Sequence, residues 1–309
     1  MTSVEAQHGV VVGVDGSASS KAAVEWGARD AWLRGLILRL VTVVTPAPRT
    51  NPSPWAGVPV WSDGERISHD LVTARQVLED AQSRAIKAVR PDRSSPIFAS
   101  VLVGPVVSTL ASFAANAAML VVGCGDRKAF ARRLFGTVSS DLGDHVHCPL
   151  GIVHDDDSLV ARSATAPVAV GIDRSHTSGL AIEIAFDEAS RRGVDLIVLH
   201  AWNDEGLLRF GRSTHAPIEH ANFRAHEEEL LDAQLDPWRP RYPKVTVHPV
   251  VVTDHPVPRL LQLAETAQLL VLGGNAHRRF ASALHGSVSS AVVADAPIPV
   301  IVAHGHSVN

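Results

Sequence analysis

The sequence predicts an α/β fold of two tandem domains, each a doubly wound, five-stranded parallel sheet with helices on both faces. The length supports two domains, because 309 residues are about twice the usual size of one domain. Short apolar runs rich in β-branched residues alternate with stretches of helical periodicity, which is typical of parallel sheets with crossover helices. The third observation is that the second half of the chain repeats the first.

The repeat is visible as three blocks that recur in the same order. Gly13 and Gly171 in the first block lie 158 positions apart, whereas Gly123 and Gly273 in the second lie 150 apart. The first half therefore carries 8 additional residues (158 minus 150), which we place in the proline-rich stretch 46–61 as a surface loop. The paired blocks are Val11–Ser17 with Ala169–Ser175, Leu120–Gly123 with Leu270–Gly273, and Phe135–Ser140 with His285–Ser290.

Each half shows the same succession of strands and helices. A continuous apolar run such as Val10–Val14 indicates a strand buried on both faces of a sheet. In the first half the predicted strands are Val10–Val14, Leu36–Val44, Ile97–Val103, Met119–Gly123 and Leu150–Val153, the predicted helices are 20–34, 67–89, 106–117 and 138–145, and the second half repeats this from Val168 to Ala303.

Helix ends and the domain boundary also have sequence signals. Ser19 or Ser20 is the predicted N-cap of the first helix, and Gly35 follows its last residue in the position where glycine ends helices. The stretch from His154 to Pro167 is acidic and then small and polar, without apolar periodicity. We therefore predict a linker here, between domains 1–156 and 165–309.

Charge and hydropathy limit the partners that the chain can have. A formal net charge of -4, from 28 Lys+Arg and 32 Asp+Glu, gives no strong field toward polyanions, so we expect neither a nucleic acid nor a membrane as partner. The start of the chain lacks the basic stretch of a secretory signal. Arg39 interrupts the longest candidate apolar run, which is far below the roughly 18 residues of a membrane span. These features predict a cytoplasmic protein.

The sequence lacks the usual catalytic and metal-binding patterns. No Gly-Lys-Ser/Thr phosphate loop occurs, and neither a G-x-S-x-G elbow nor a pair of acid and base carboxylates stands out. His145, His147 and Cys148 lack further ligands at recognisable spacing. Cys124 and Cys148 fall at opposite ends of neighbouring strands and are predicted to be free thiols. We expect no enzymatic activity and no metal site.

Two repeated blocks place a ligand crevice at the carboxyl ends of the strands. Asp15 ends the first strand and Gly123 the fourth, and in an open α/β sheet ligands bind where the strand order reverses. The helix that starts near Thr137 and Ser139 would direct its free N–H groups toward a phosphate. Asp15 would accept hydrogen bonds from an adenine amino group or ribose hydroxyls. The structural alternative is that Asp15 only turns the chain and caps the next helix.

Together these motifs resemble the universal stress protein family, as a tandem of two domains of the actinobacterial kind. The motifs are Val12-Gly13-Val14-Asp15-Gly16-Ser17, His200-Ala201-Trp202, Gly136-Thr137-Val138-Ser139 and Gly286-Ser287-Val288-Ser289. The resemblance implies a Rossmann-like, nucleotide-binding fold and, in one branch of the family, an ATP site with the pattern G-x2-G-x9-G-S/T. The residues that it implies are Asp15, Val41, Gly123, Gly136, Thr137 and Ser139 in the first half, and Asp173, Leu199, Gly273, Gly286, Ser287 and Ser289 in the second.

Both halves depart from this pattern at its second glycine. Asp126 occupies that position in the first half and Ala276 in the second. The Asp126 carboxylate would repel phosphates, unless it ligates a magnesium ion bound to them. The neutral Ala276 leaves the second half the more favourable ATP site on electrostatic grounds.

Two functions are compatible with these features. The first is a stress-response regulator, whose occupancy by ATP, with or without magnesium, changes its contacts with other proteins. The second is a scaffold that kept the fold, lost the ligand and acts only through association. The family resemblance suggests a homodimer through the last strands, Leu150–Val153 and Val300–Ala303, which are short, apolar and at sheet edges. Alternatively, these two strands pair with each other as a pseudo-dimer within one chain.

Overall fold

The computed structural model describes residues 9–46, 63–89, 95–125, 138–154, 164–173, 177–201, 217–252, 255–273 and 288–304. Within these ranges, five strands and four helices alternate in each half of the chain. The first half contains β1 (Val10–Gly13), α1 (Ala18–Arg34), β2 (Leu38–Val44), α2 (Asp63–Ala88), β3 (Ile97–Val103), α3 (Val106–Phe113), β4 (Met119–Cys124), α4 (Val138–Leu142) and β5 (Leu150–His154). The second half contains β6 (Val168–Ile172), α5 (Thr177–Arg192), β7 (Leu196–Ala201), α6 (Pro217–Leu235), β8 (Val247–Val252), α7 (Pro256–Ala264), β9 (Leu269–Gly273), α8 (Val288–Asp295) and β10 (Val300–Ala303).

The ten strands form one continuous sheet in the order β3-β2-β1-β4-β5-β10-β9-β6-β7-β8. Within each half, all neighbouring strands are parallel. The predicted fold class, with five parallel strands per half, is therefore confirmed. The strand order reverses between β1 and β4 and again between β6 and β9, and the carboxyl ends at such points are where open α/β sheets usually bind their ligands.

The two halves are joined through their last strands. β10 runs antiparallel to β5, with Ile301 opposite Gly151. The sequence left open whether these edge strands pair with a second copy or with each other. In the structure they pair with each other, within one chain. Because each strand covers the other, these edges are not open to a second copy, and this corrects the expectation that a homodimer forms through them.

Helices cover both faces of the sheet. Val10 and Val12 belong to the buried cluster that includes residues of α1, α2, α5 and α6, whereas Val11 belongs to the cluster that includes residues of α3, α4, α7 and α8. Successive side chains of a strand point to opposite faces, so a run of consecutive valines fills both cores. This alternation is the physical reason why the first strand reads as a continuous apolar run.

Helix α1 begins two to three residues earlier than the sequence suggested. The N-cap is Ser17, whose hydroxyl accepts a hydrogen bond from the N–H of Ser20 at 3.1 Å. The predicted caps, Ser19 and Ser20, lie buried in the first turn instead. Gly16 causes the difference, because its φ of +82° turns the chain before Ser17. The C-cap prediction is confirmed, since Gly35 has a φ of +65°.

The two cysteines lie where they were predicted. Cys124 ends β4 and Cys148 precedes β5; both side chains are buried, and neither forms a disulfide bond. Burial raises the pKa of the Cys148 thiol to about 11, so this side chain stays protonated at neutral pH. Among the helices described, none has both the length and the apolar composition needed to cross a bilayer.

Candidate functional site

The crevice of the second half contains a cavity at the carboxyl ends of β6, β7 and β9. Its volume is about 110 Å³, and its lining includes Asp173, Leu199, Gly273 and Ser289. The structure thus brings together four residues that the sequence predicted for this site. Apolar side chains such as Leu260 complete the wall. A cavity with apolar walls and a few polar groups at one end is typical of a small-molecule site.

Asp173 is held in place by the first turn of α5. The hydroxyl of Ser178 accepts a hydrogen bond from the N–H of Asp173 at 3.0 Å. The same hydroxyl lies 2.8 Å from the carbonyl oxygen of Asp173 and 2.8 Å from its Oδ1. Ser178 is buried, whereas Asp173 is exposed at the rim of the cavity. The carboxylate therefore has a fixed base and an accessible end, which suits an acceptor of hydrogen bonds from a ligand.

The start of α8 is tied to the end of β9. The hydroxyl of Ser289 donates a hydrogen bond to the carbonyl oxygen of Gly273 at 3.0 Å. Val288, the first residue of α8, also lines the cavity. This contact sets the first turn of the helix beside the cavity, in the position where the sequence predicts phosphate binding.

In the first half, Asp15 forms a turn with Ser17. The N–H of Ser17 donates to Asp15 Oδ1 at 2.9 Å. Partial burial opposes ionisation of Asp15, but hydrogen bonds from Ser17 and Ser20 outweigh it and lower the pKa of this carboxyl. Asp15 is therefore an ionised acceptor at neutral pH. The turn that the structural alternative required is present, and the exposed carboxylate also leaves room for a ligand contact.

Gly123 has a structural role that the sequence did not reveal. A Cβ at this position would lie 2.4 Å from the carbonyl carbon of Ser19 and 2.5 Å from the backbone nitrogen of Ser20. The end of β4 and the first turn of α1 therefore approach too closely for any side chain. Packing alone explains this glycine.

The main chain at Val41 takes part in the sheet. Its carbonyl oxygen accepts a hydrogen bond from the N–H of Val14 at 2.8 Å, and only 1% of the residue is exposed. Ser139 is also buried, in α4. The ligand contacts expected of both residues stay predictions. Six further predicted site residues lie outside the described residues: Asp126, Gly136, Thr137, Ala276, Gly286 and Ser287.

A buried pair behind the second cavity was not foreseen. His200 lies in β7 between Leu199 and Ala201, both of which line the cavity. Its Nδ1 is 3.4 Å from the carbonyl oxygen of Ile172, the residue before Asp173. Its Nε2 is 3.2 Å from Oε2 of Glu227 in α6, and both side chains are buried.

The sequence repeat gave a signal for His200 but none for Glu227. Thr42, which is 158 positions before His200, donates its hydroxyl to the carbonyl oxygen of Val14 at 2.8 Å. Val14 and Ile172 are related by the same 158 positions. The two halves therefore support the carbonyl before the site aspartate with different side chains. Glu227 gave no such signal, because the corresponding residue 150 positions earlier is the apolar Val77.

The described side chains around the second cavity offer a ligand hydrogen-bonding and apolar contacts. They supply one carboxylate, hydroxyls that are already hydrogen-bonded, and apolar walls. Within the described ranges, no group of three or more His, Cys, Asp or Glu side chains has a metal-binding arrangement.

Comparisons with known proteins agree with this fold and with the repeat. A model of the universal stress protein family matches residues 8–154 and 165–304. The chain is similar to the universal stress protein Rv1996 of Mycobacterium tuberculosis, with 47% identity over 309 residues, 98% of this chain and 97% of that protein. It is also similar to the universal stress protein Rv2005c of the same organism, with 40% identity, 98% of this chain and 99% of that protein.

A solved structure resembles the whole chain as well. The crystal structure of a universal stress protein from Archaeoglobus fulgidus covers 97% of this chain and 97% of its own, with a TM-score of 0.68 and 19% identity. At that identity the likeness concerns the fold. The family match to both halves and the identity to full-length relatives show more: the chain belongs to the universal stress protein family and carries two of its domains in tandem.

Proposed function

We propose that this chain is a cytoplasmic regulator of the stress response that binds an adenine nucleotide, with ATP as the ligand, and whose occupancy changes its contacts with other proteins. The observation that carries the proposal is the cavity of the second half. There Asp173, Leu199, Gly273 and Ser289, which lie far apart in the sequence, meet at the point where the strand order reverses.

The chemistry of the cavity supports an adenosine ligand. Leu260 and Leu272 provide apolar wall for a planar base. The accessible end of the Asp173 carboxylate accepts hydrogen bonds from an amino group or from ribose hydroxyls. The first turn of α8, held by Ser289, lies on the side where the phosphates would extend.

The two halves are not expected to bind equally. In the second half, the position of the family's second glycine is the neutral Ala276, whereas the first half has the anionic Asp126. We infer that the second half holds ATP more tightly. In the first half, Asp126 would bind a phosphate-bound magnesium ion through its carboxylate oxygens.

The proposal includes no chemical step. The described side chains of the cavity fix and orient a ligand, and we assign no general base or nucleophile among them. Binding alone suits a regulator that reports the nucleotide level through its shape or contacts. Association with a second copy is part of the proposal, and it would use surfaces other than β5 and β10, for example the outer strands β3 and β8 of the sheet.

One observation favours the scaffold as a second candidate, at least for the first half. Gly123 is explained by the approach of α1, and the carbonyl of Val41 is engaged by Val14. Two of the residues expected to bind nucleotide there thus have complete structural roles. A chain that binds no nucleotide and acts only through association would retain both.

Calorimetric titration of the full chain with Mg-ATP tests the proposal. We expect saturable binding that weakens at least about tenfold in Asp173→Asn, because the amide replaces an acceptor by a donor. The matched variant Asp15→Asn alters the first half and leaves the tighter site unchanged. A titration of the folded wild-type chain without heat or saturation would favour the scaffold.

A further inference from the structure

A second cavity lies in the first half between α1 and α2, with a volume of about 220 Å³. Its floor is formed by Val14, Val24 and Ala81, which are buried, and by Val77. These residues belong to the core on the α1 and α2 face of the sheet. Val14 and Gly16, which both line it, flank Asp15 of the first-half crevice, whereas the residues of α4 pack on the opposite face of the sheet.

The mouth of this cavity carries two cations and one anion: Lys21, Arg84 and Asp80. The Nε of Arg84 is 2.9 Å from Oδ2 of Asp80, and its Nη1 is 3.7 Å from Glu25. The hydrogen bond from Arg84, with a smaller contribution from the charge of Lys21, lowers the pKa of Asp80. Arg84 thus already has carboxylate partners.

Lys21 is the cation that remains available. Among the described residues, no carboxylate lies within 4.0 Å of its ammonium group, the distance that defines an ion pair here. An ammonium group with no carboxylate partner among the described residues, beside an apolar floor, matches a ligand with a negative end and an apolar body, because the charge pairs while the body leaves water.

The second half lacks this combination of residues. Lys21 corresponds to Gly179, 158 positions later, and Asp80, Ala81 and Arg84 correspond to Leu230, Leu231 and Gln234, each 150 positions later. Leu231 is 2% exposed, so a larger side chain is buried where the first half has an alanine. The cavity with a charged mouth therefore distinguishes the first domain from the second.

We propose that this cavity binds a small monocarboxylate with a compact apolar body, such as an aryl-acetic acid. The body lies against Val14, Val24 and Ala81, and the carboxylate pairs with Lys21. Asp80 at the same mouth disfavours dianions such as phosphate esters, because a second negative charge would lie beside its carboxylate. The two cations disfavour amines for the same reason.

NMR titration of the full chain with phenylacetate tests this site. We expect saturable shifts of the valine methyl signals of Val24 and Val77, and at least about tenfold weaker binding of phenylacetamide, which has the same shape without the charge. Mg-ATP at a concentration that fills the second half is expected to leave the phenylacetate affinity unchanged, since that site lies in the other domain. This result separates the proposal from the nucleotide function.

Variants locate the binding within the cavity. Lys21→Gln is expected to weaken phenylacetate binding at least about tenfold, whereas Lys87→Gln, on an exposed lysine of the same region, leaves it unchanged. Ala81→Leu, which copies Leu231 of the second half, fills the floor and abolishes binding. The site is overturned by the absence of saturable shifts up to about 20 mM phenylacetate, by equal affinity for the amide, or by a folded Lys21→Gln variant with unchanged affinity.

Discussion

Arg34 of α1 forms a buried ion pair with Glu188 of α5, across the seam between the two halves of the chain. Arg192, the counterpart of Arg34 after 158 positions, lies 2.7 Å from Glu188 and 3.3 Å from Asp30. Asp30 and Glu188 are themselves 158 positions apart. The repeat therefore places one carboxylate and one arginine at equivalent positions of α1 and α5, and the two pairs of side chains meet across the seam.

The first prediction concerns the removal of one charge from this cluster. Asp30 and Glu188 are 1% and 0% exposed, so neither carboxylate has water as an alternative partner. Arg34→Met is expected to lower the free energy of unfolding by about 3 kcal/mol, because it leaves buried carboxylates with less compensation. Urea unfolding measures this change.

An exposed ion pair provides the control for the Arg34 variant. Arg239, whose side chain is 41% exposed, bonds Asp232 and Asp236. Arg239→Met is expected to cost at most about 1 kcal/mol, since water screens such pairs. Equal losses in the two variants would show that the seam charges contribute no more than surface charges.

The second prediction is a pH dependence due to Glu188. Burial and the neighbouring Asp30 raise the pKa of Glu188 to about 7, against the opposing effect of Arg192 and Arg34. Between about pH 4.5 and 7, the folded chain holds a proton that the unfolded chain has released. Stability from this group is therefore present at the acidic end of the window and is lost as the pH rises through 7.

Glu188→Gln removes this pH dependence, because the amide does not ionise. Thermal unfolding at pH 5 and pH 7.5 is the measurement. Between these two conditions, the wild-type chain is expected to lose more stability than the variant. Parallel curves for the two proteins would contradict a raised pKa at Glu188.

The third prediction is a loss of stability toward acidic pH, which is opposite in direction to the effect of Glu188. Burial lowers the pKa of His304 to about 4, with Asp144 opposing the shift and His147 adding to it. The unfolded chain takes up this proton from about pH 6.5 downward, whereas the folded chain does so only near pH 4. Stability therefore falls as the pH drops from about 6.5 to 4, by about 3 kcal/mol from this group.

His304→Phe tests this acid sensitivity, because the variant has no proton to take up. Urea unfolding between pH 6.5 and 4 is expected to show a smaller loss of stability than in the wild type. His248→Gln is the control, since that side chain is 53% exposed and bonds Asp195 at the surface. If His248→Gln reduced the acid sensitivity as strongly as His304→Phe, burial would not be its cause.

The fourth prediction concerns His200 as a positioning residue behind the second cavity. His200→Ala removes the contacts to Ile172 and Glu227 and is expected to weaken ATP binding by the second half about tenfold. His200→Thr copies Thr42 of the first half and restores the hydrogen bond to the carbonyl before Asp173. Titration calorimetry compares both variants, and Thr42→Ala is the control that leaves the second half intact.

Rescue by threonine separates positioning from general damage to the fold. A loss in His200→Ala that His200→Thr does not recover would assign the effect to the Glu227 contact. Unchanged affinity in a folded His200→Ala variant would remove the residue from the site altogether.

The fifth prediction tests the structural role of Gly123. Gly123→Ala places a Cβ against the backbone of Ser19 and is expected to destabilise the fold by about 2 kcal/mol or more. Gly179→Ala is the matched control, because nothing lies within 4 Å of its added Cβ, and there alanine stabilises α5 by up to about 1 kcal/mol. Thermal unfolding compares the two. A stable Gly123→Ala variant that loses only nucleotide binding would restore the functional interpretation of this glycine.

Local patterns predicted the elements of the fold well. The valines of β1, the C-cap Gly35 and the parallel order within each half all follow from apolar periodicity and from glycine conformation. The N-cap was displaced because residues 17–20 include three serines able to cap, and the backbone of Gly16 decides among them.

Contacts between distant segments were harder to predict. The repeat showed that Arg34 and Arg192 are equivalent, but only the antiparallel pairing of β5 with β10 brings the two helices together. Glu227 was missed because a carboxylate on a buried helix face has no periodic signal, and its partner His200 lies in a different element. The packing role of Gly123 was missed for the same reason, because its neighbours in α1 lie about 100 positions earlier in the chain.

Mass spectrometry of the gently purified and then denatured chain tests the central claim most directly, because it detects co-purified adenine nucleotide and gives its molar ratio to protein. The account predicts a ratio near one, from occupancy of the second half, or near two if the first half also binds. Absence of nucleotide, followed by no calorimetric signal with added Mg-ATP, would contradict it and leave the chain as a scaffold.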